Sequence, residues 1–333
     1  MNQRTWASIL LVTLTTNCAL AEADFVTLSR DLATQAANQG TQVVEGQNDW
    51  LFLAPELRHI AAGPFWGDAA QNASQARRAD ARDPLPAILD FHQALEDIGV
   101  HLLMVPVPLK AVVHADKLLP DALKERPDTA QAEFIEVLRS SGIDVLDLTD
   151  EFRSQPVSER GPLYCRTDTH WSGKGIVTAA QQIAAAIPEA AELATDTAWQ
   201  TEWSQIEIEG DLNKMRDESG DPESLWVRRV EADVVDSSSP VLLLGDSHTL
   251  VFHAGGDMHA TRAGLPEQLA FELGTPVDLI GVRGSGATPA RINLFRRAQR
   301  DPDFWSDKQV VVWVFAGREF TQSDGWRIVP IQR

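Results

Sequence analysis

The chain has 333 residues, of which 44% are hydrophobic, and a formal net charge of −19 at pH 7. An ordinary apolar fraction at this length indicates a globular protein with one large core or two modest ones. The acidic balance disfavours nucleic acid and anionic membranes as general partners, because a negative surface repels phosphate groups.

The N-terminus has the three parts of a secretory signal. Arg4 precedes a mostly apolar run at residues 9–14, and a small-x-small site ends at Ala21. The run is too short to span a bilayer as a helix. We therefore predict a signal peptide over residues 1–21 and export to the periplasm, with a buried N-terminal helix as the alternative.

The two cysteines have different fates under this prediction. Cys18 leaves with the signal, unless the protein is a lipoprotein, and Asn17 is a poor residue for a lipidation site. Cys165 then remains alone in the mature chain and has no cysteine with which to form an internal disulfide. We expect Cys165 to be packed in a strand rather than to act as a nucleophile, since no helix start or basic cluster activates its thiol.

In the first half of the mature chain, predicted helices alternate with predicted strands. Residues 67–84 are polar and indicate a solvated helix or loop. Pro84 opens a helix whose apolar residues Ile88, Phe91 and Leu95 recur at helical spacing. The next predicted elements are a buried strand at 100–107, a helix at 127–140, a strand at 143–148 and a helix at 173–187.

The second half gives the clearest indication of the fold class. Residues 198–235 mix tryptophans with charges and are predicted to be a strand-rich embellishment of a single domain over 22–333. The apolar run at 241–244 is typical of a parallel strand buried on both faces. Further elements are predicted as a helix at 264–273, a strand at 277–280, a helix at 288–299 and a strand at 310–315. This alternation predicts an α/β fold with a mostly parallel sheet flanked by helices.

A polar segment follows the buried strand at 241–244 directly. Ligands of open α/β sheets lie at the carboxyl ends of strands. Ser247, two residues after Gly245, can therefore present its hydroxyl there. The alternative is a helix N-cap, for which Asp and Ser are favoured residues. Ser247 is accordingly a candidate nucleophile.

A serine nucleophile requires a base and an acid that orients the base. In an extended segment residues i and i+2 face the same way, so Asp168 can hold Nδ1 of His170 while Nε2 faces the serine. We predict Ser247, His170 and Asp168 as a catalytic triad without metal or cofactor. A metal or capping turn is the alternative for Asp168 and His170, but further ligands at metal-like spacing are absent nearby. His248 is predicted to contact substrate or to be structural rather than to be the base.

The remaining site residues carry weaker signals. The backbone N–H of Ser247 is one candidate donor of an oxyanion hole. Gly284, in a glycine-rich turn, is a second candidate, and a plain strand-to-helix turn is the alternative. Arg166 and Arg318 are candidates to bind anionic sugar groups, although surface solvation accounts for either arginine alone.

The two motifs together resemble the alginate O-acetyltransferase family of SGNH-like proteins. The segment Asp168–Trp171 precedes Gly245–Ser247, the reverse of the order in ordinary SGNH hydrolases. Residues 46–53 are similar to the family's early Gly-x-x-Gly-Trp-Leu-Phe stretch. Residues 105–110 resemble its proline–lysine strand end, and residues 311–315 resemble its final strand.

This resemblance implies an SGNH-hydrolase-like fold with reversed motif order. It also implies a periplasmic enzyme that transfers acetyl groups to exopolysaccharide hydroxyls through a serine acyl-enzyme. A membrane-bound partner protein would deliver the acetyl group, because acetyl-coenzyme A is cytoplasmic. We also expect Lys110 to contact substrate. The alternatives are a carbohydrate acetylesterase with the same triad and a non-catalytic polysaccharide-binding protein that uses its tryptophans.

Overall fold

A computed structural model describes residues 25–119, 126–187, 193–194, 199–216 and 220–332. The predicted signal peptide, its cleavage site and Cys18 lie outside these ranges. Within them, no helix combines the length and the apolar character that a bilayer crossing requires.

The strands of the described residues form one parallel sheet and two small antiparallel ribbons. They are β1 (Val43–Glu45), β2 (Leu51–Leu53), β3 (His101–Val107), β4 (Asp144–Val145), β5 (Thr201–Ile208), β6 (Glu223–Val230), β7 (Val241–Gly245), β8 (Asp278–Gly281) and β9 (Val310–Ala316). The parallel sheet has the order β4-β3-β9-β7-β8, and the ribbons pair β1 with β2 and β5 with β6.

Helices cover both faces of the parallel sheet. They are α1 (25–38), α2 (Ala54–Ile60), α3 (Ala70–Ala73), α4 (Pro84–Glu96), α5 (Lys110–Val113), α6 (Thr129–Ser140), α7 (Thr149–Ser154), α8 (Gly173–Ala186), α9 (Asp211–Lys214), α10 (Leu265–Leu273), α11 (Thr288–Ala298) and α12 (Glu319–Gln322). Alternate residues of β7 pack on opposite faces. Val241 and Leu243 contact the core beneath α8 and α10, whereas Leu242 and Leu244 contact the core beneath α4, α6 and α11.

The predicted fold class is confirmed, and the predicted helices and central strands are present within a few residues of their expected ends. The strand predicted at 143–148 is much shorter, because Asp147 accepts a hydrogen bond from the N–H of Thr149, the first residue of α7, and so turns the chain. Cys165 is buried as expected but does not belong to a strand. Its segment bends instead, since the Asp168 carboxylate accepts the N–H of His170.

The strand-rich character predicted for 198–235 is confirmed by the ribbon of β5 and β6. This excursion is attached closely to the rest of the molecule. A Cβ atom at Gly210 would lie 2.0 Å from the carbonyl oxygen of Thr167, so only glycine allows the approach. As a result, the residues after β5 reach the segment that carries Asp168.

The stretch 46–53 is the turn and second strand of the β1–β2 ribbon. Asn48 and Asp49 have φ values of 54° and 62°, in the left-handed region that these two residue types tolerate. The first residue of β2, Leu51, donates its N–H to the carbonyl of Arg166 at 2.9 Å. The ribbon therefore supports the same segment from the other side.

Candidate active site

The candidate nucleophile lies on a tight turn at the carboxyl end of β7. A Cβ atom at Gly245 would lie 2.2 Å from the carbonyl oxygen of Val314, so a side chain has no room there. Asp246 caps the short 3-10 turn Ser247–Thr249 by accepting the N–H of His248 at 2.9 Å. Its other oxygen accepts the N–H of Ala316 at 2.7 Å. Capping thus belongs to Asp246, and the Ser247 hydroxyl remains available.

The structure brings Ser247, His170 and Asp168 together, although 77 positions separate the serine from the histidine. His170 Nε2 lies 2.7 Å from Ser247 Oγ, and His170 Nδ1 lies 2.6 Å from Asp168 Oδ1. All three residues are buried, with Ser247 9% exposed. This is the geometry in which an imidazole removes the proton of a serine hydroxyl.

Asp168 and His170 each stabilise the charged form of the other. Burial alone would lower the pKa of His170, but the charge of Asp168 and its hydrogen bond raise that pKa above 6.5. Burial alone would raise the pKa of Asp168, but the charge and hydrogen bond of His170 hold it well below its usual value. Asp168 therefore stays ionised and stabilises the imidazolium.

The excursion supplies two carboxylates that fix this segment, and sequence analysis missed both. Glu223, at the start of β6, accepts the N–H groups of Arg166 and Thr167 at 2.8 and 2.9 Å. Asp211 accepts the N–H of Thr169 at 2.7 Å and also its hydroxyl. Nothing in the sequence around these acids distinguishes them from the many other acidic residues.

Asp168 itself is held by two further donors. The N–H of Asp211 donates to Asp168 Oδ2 at 2.8 Å, and His259 Nε2 lies 2.9 Å from the same oxygen. Sequence analysis did not identify His259 either. Its position three residues after the consecutive glycines 255 and 256 was the available signal of an unusual loop.

The substrate role expected for Lys110 is wrong. This side chain is 1% exposed. Its ammonium group donates to the carbonyls of Leu51, Arg166 and Asp168 at 2.7, 2.9 and 2.8 Å. With all three N–H bonds used inside the protein, Lys110 joins the β1–β2 ribbon to the segment that carries the acid.

Two roles were predicted for His248, a substrate contact and a structural role, and its surroundings fit the structural role. The ring is 2% exposed, and Nδ1 lies 3.0 Å from Asp246 Oδ1. Its carbonyl accepts the indole N–H of Trp171 at 3.1 Å, which connects the serine turn to the histidine segment. Burial leaves no surface for a substrate contact, and the base position beside Ser247 belongs to His170.

The oxyanion hole remains a prediction. No hydrogen bond from the Ser247 N–H is found within the described residues, so this donor is free to meet an oxyanion. Gly284 has a φ of 92° and open space at its Cβ position. The neighbouring Gly286 packs against the serine turn, because a Cβ there would lie 2.7 Å from Asp246 Cβ.

The two arginines differ in their surroundings. Arg166 is partly exposed, and its Nε lies 3.7 Å from the Glu223 carboxylate. Arg318 follows β9 and is half-buried. It makes no side-chain hydrogen bond or ion pair within the described part of the chain. Roles in binding anionic sugars stay predictions for both residues.

Asp168, His170 and Asp211 also lie close enough to hold a metal ion, because each has a potential ligand atom within 4.8 Å of the other two. Every one of these groups already makes hydrogen bonds. The Asp168 carboxylate accepts from three residues, and the Asp211 carboxylate accepts from Thr169. The arrangement fits an oriented histidine better than an open metal site.

A buried acid holds the glycine-rich turn. Glu319, at the start of α12, is 6% exposed and accepts a hydrogen bond from the hydroxyl of Ser285. Burial raises the pKa of Glu319 to about 7, against the lowering effect of Arg318. Ionisation of this carboxyl group is therefore unfavourable in the folded state.

We expect this group to make the protein less stable as pH rises from 4.5, the ordinary pKa of Glu319, through about 7. The difference between the folded and the ordinary pKa of Glu319 lowers the unfolding free energy by about 3 kcal/mol at alkaline pH and leaves it unchanged below pH 4.5. Glu319→Gln removes the titration. Urea unfolding at pH 5 and pH 8 should show the variant gaining stability relative to wild type at the higher pH. If the two proteins differed in unfolding free energy by the same amount at pH 5 and pH 8, the raised pKa assigned to Glu319 would be contradicted.

The chain is similar to one family of known proteins over most of its length. Residues 43–317 match the family model described as the SGNH hydrolase-like domain of the acetyltransferase AlgX. A probable alginate O-acetylase AlgJ of Pseudomonas aeruginosa is 27% identical over 147 residues, covering 44% of this chain and 33% of that protein. The AlgJ of Pseudomonas putida is 30% identical over 149 residues, with shares of 44% and 34%. The chain thus spans about a third of the length of these relatives.

Solved structures show the same fold. The O-acetyltransferase domain of Pseudomonas putida AlgJ superposes with a TM-score of 0.61 at 23% identity, covering 84% of this chain and 92% of that one. Pseudomonas aeruginosa AlgX superposes with a TM-score of 0.58 at 16% identity, covering 83% of this chain and 62% of that one.

Proposed function

The chain belongs to the SGNH hydrolase-like AlgX acetyltransferase family, and we propose that it is an exported, serine-dependent O-acetyltransferase that modifies an exopolysaccharide. The observation that carries this proposal is the chain of short contacts from Asp168 through His170 to Ser247, at 2.6 and 2.7 Å. These contacts lie at the carboxyl end of a central strand, where ligands of α/β sheets bind.

The proposed reaction has two displacements. His170 takes the proton of Ser247 while the serine oxygen attacks the acetyl carbonyl of a donor ester. The tetrahedral oxyanion is held by the Ser247 N–H. His170 then returns the proton to the leaving oxygen, and the acetyl group stays on the serine. In the second half His170 deprotonates a sugar hydroxyl, whose oxygen attacks the acyl carbonyl. The bond from that carbonyl to Ser247 breaks, and His170 returns the proton to the serine oxygen.

Transfer and hydrolysis use the same triad and differ only in the acceptor of the second step. We suggest incubating the purified protein with p-nitrophenyl acetate, with and without uronic acid oligomers. A transferase gives acetylated oligomers, detected by mass spectrometry, and the acceptor accelerates release of p-nitrophenol. Release of acetate alone, unaffected by the acceptor, would support an acetylesterase instead and overturn the transferase proposal.

We propose that the acceptor is acidic and that Arg318 binds its carboxylate. Relatives of the chain are named alginate O-acetylases, and alginate is a polymer of uronic acids. Arg318 is half-buried and lies two residues after Ala316, whose N–H donates to Asp246 of the serine turn at 2.7 Å. Burial raises the pKa values of Glu56 and Glu319, although the charge of Arg318 lowers both. No acid of the described residues forms an ion pair with Arg318. Its positive charge is therefore only partly compensated within an acidic protein.

Arg318→Gln should raise KM for a uronate oligomer about tenfold, because one charge-assisted hydrogen bond to the acceptor is lost. Turnover of p-nitrophenyl acetate without acceptor should change little. Arg283→Gln is the matched control, since Arg283 already pairs with Asp257 at 2.6 Å. Steady-state kinetics with charged and neutral oligomers will check this. Equal KM values for the two arginine variants would remove Arg318 from the acceptor site.

We also propose that the mature protein begins after Ala21 in the periplasm and receives acetyl groups from a membrane-bound partner protein. The support is the N-terminal sequence pattern and the absence of acetyl-coenzyme A outside the cytoplasm. Intact-mass analysis of the exported protein tests the cleavage. A mature chain that starts with a lipidated Cys18 would contradict it.

A further inference from the structure

The buried carboxylate of Asp168 is contacted by two histidines. His170 Nδ1 lies 2.6 Å from Oδ1, and His259 Nε2 lies 2.9 Å from Oδ2. The side chain of His259 is 7% exposed and that of Asp168 is 1% exposed. Because Asp168 is ionised and accepts only, His259 must donate from Nε2, which fixes its tautomer.

His259 is held in an uncommon backbone conformation. Its φ is 72°, in the left-handed region that few non-glycine residues occupy. Gly255 and Gly256, earlier in the same loop, also have positive φ, and a bridge between Ala254 and Thr261 closes the loop. Conformations of this kind persist where the surroundings impose them, and they concentrate at functional sites. The loop therefore aims the His259 ring at Asp168.

The hydrogen bonds and the backbone between Ser247 and His259 together form a closed ring. From Ser247 the hydrogen bonds run to His170, then to Asp168, then to His259. His259 belongs to the same chain segment as Ser247 and follows it by 12 positions (259 minus 247). The acid is thus anchored to the loop that carries the nucleophile, independently of its own segment. A shift of Asp168 relative to Ser247 would therefore lengthen its hydrogen bonds to both His170 and His259.

We propose that His259 is a positioning residue for Asp168. The role rests on the proposed serine mechanism. Its donor on Oδ2 fixes the plane of the carboxylate, so that Oδ1 remains aligned with Nδ1 of His170. The hydrogen bond from His259 also stabilises the negative charge of Asp168. It therefore limits how strongly that charge raises the basicity of His170.

Asp211 and Lys110 also donate hydrogen bonds to Asp168. Asp211 donates its backbone N–H to the same oxygen as His259, and its carboxylate lies 3.8 Å from His170 Nδ1. Lys110 donates to the Asp168 carbonyl. Asp211 and Lys110 remain in place when only the His259 ring is changed. A substitution at 259 therefore isolates the second histidine's contribution.

The test compares His259→Gln with His259→Phe. Glutamine keeps an N–H donor near the place of Nε2, whereas phenylalanine keeps the ring shape without the donor. Both replace histidine at the same positive φ. We expect His259→Phe to lower kcat/KM for p-nitrophenyl acetate about tenfold, the size of one lost hydrogen bond to a charged group. The acid limb of its pH profile should move to higher pH, because the full charge of Asp168 then acts on His170.

His259→Gln should retain most of the activity and the wild-type pH profile. His253→Phe is the matched control, since it breaks another histidine–carboxylate contact of the same segment, to Glu267 at 2.6 Å. It should leave the acid limb in place. Melting temperatures of all variants report folding.

Two results would overturn the proposal. One is a His259→Phe protein with wild-type rate and pH profile. The other is a His259→Gln protein as impaired as His259→Phe, which would assign the effect to loop packing. Failure of the serine mechanism itself is distinguished by Ser247→Ala, which would then retain wild-type turnover.

Discussion

Ser247→Ala is expected to reduce acetyl transfer by roughly a thousandfold or more, because the variant has no oxygen to carry the acyl group. His170→Ala should cost about as much, since the hydroxyl 2.7 Å away then has no base. The double variant should be little worse than either single one, because the two residues act as a unit. Initial rates with an ester donor and a uronate acceptor measure all three.

Two further substitutions test the assignment of roles. Asp168→Ala should be less damaging than His170→Ala, since the acid only orients and stabilises the imidazole. His248→Ala is the control within the serine turn. It should cause a modest loss through its contact with Asp246. A collapse equal to that of His170→Ala would mean that the base has been chosen wrongly.

Lys110→Met is expected to lower the unfolding free energy by about 3 kcal/mol or more, because three buried carbonyls lose their donor. Activity of the folded protein should fall as well, since the main chain of Asp168 is released. Methionine has a similar length and no branch, so packing changes little. Urea unfolding and activity per folded molecule, measured on the same preparation, separate the two effects.

A second buried lysine provides a matched control for this variant. Lys308 donates to the carbonyls of Ser237 and Ser239 at 2.7 and 2.8 Å and lies 3.1 Å from the buried Asp278 carboxylate, at the amino end of the sheet. Lys308→Met should destabilise the protein without changing the activity of folded molecules. Equal activity losses in both lysine variants would contradict a specific role of Lys110 in holding the acid.

Much of the fold was predictable because hydrophobic pattern and element type agree. The run at 241–244 is apolar throughout and forms a strand covered on both faces. The strand predicted at 143–148 was too long, because an apolar alternation does not reveal that Asp147 turns the chain. The pairing of Ser247 with His170 was predictable from motif chemistry and family resemblance together.

The supporting contacts were not predictable in the same way. Glu223, Asp211 and His259 act through distances set by the tertiary structure, and their residue types are common on surfaces. Lys110 was misassigned for a related reason. A lysine near the end of a strand is usually solvated, and only the fold places three carbonyls around this one.

The central claim is that Ser247 carries the acetyl group between donor and acceptor. Brief incubation with p-nitrophenyl acetate, followed by acid quench and intact-mass analysis, tests it most directly. We predict a mass increase of one acetyl group, mapped to the peptide containing Ser247 and lost when a uronate oligomer is added. The Ser247→Ala protein should show no increase. An acetyl group on another residue, or wild-type labelling of Ser247→Ala, would contradict the account.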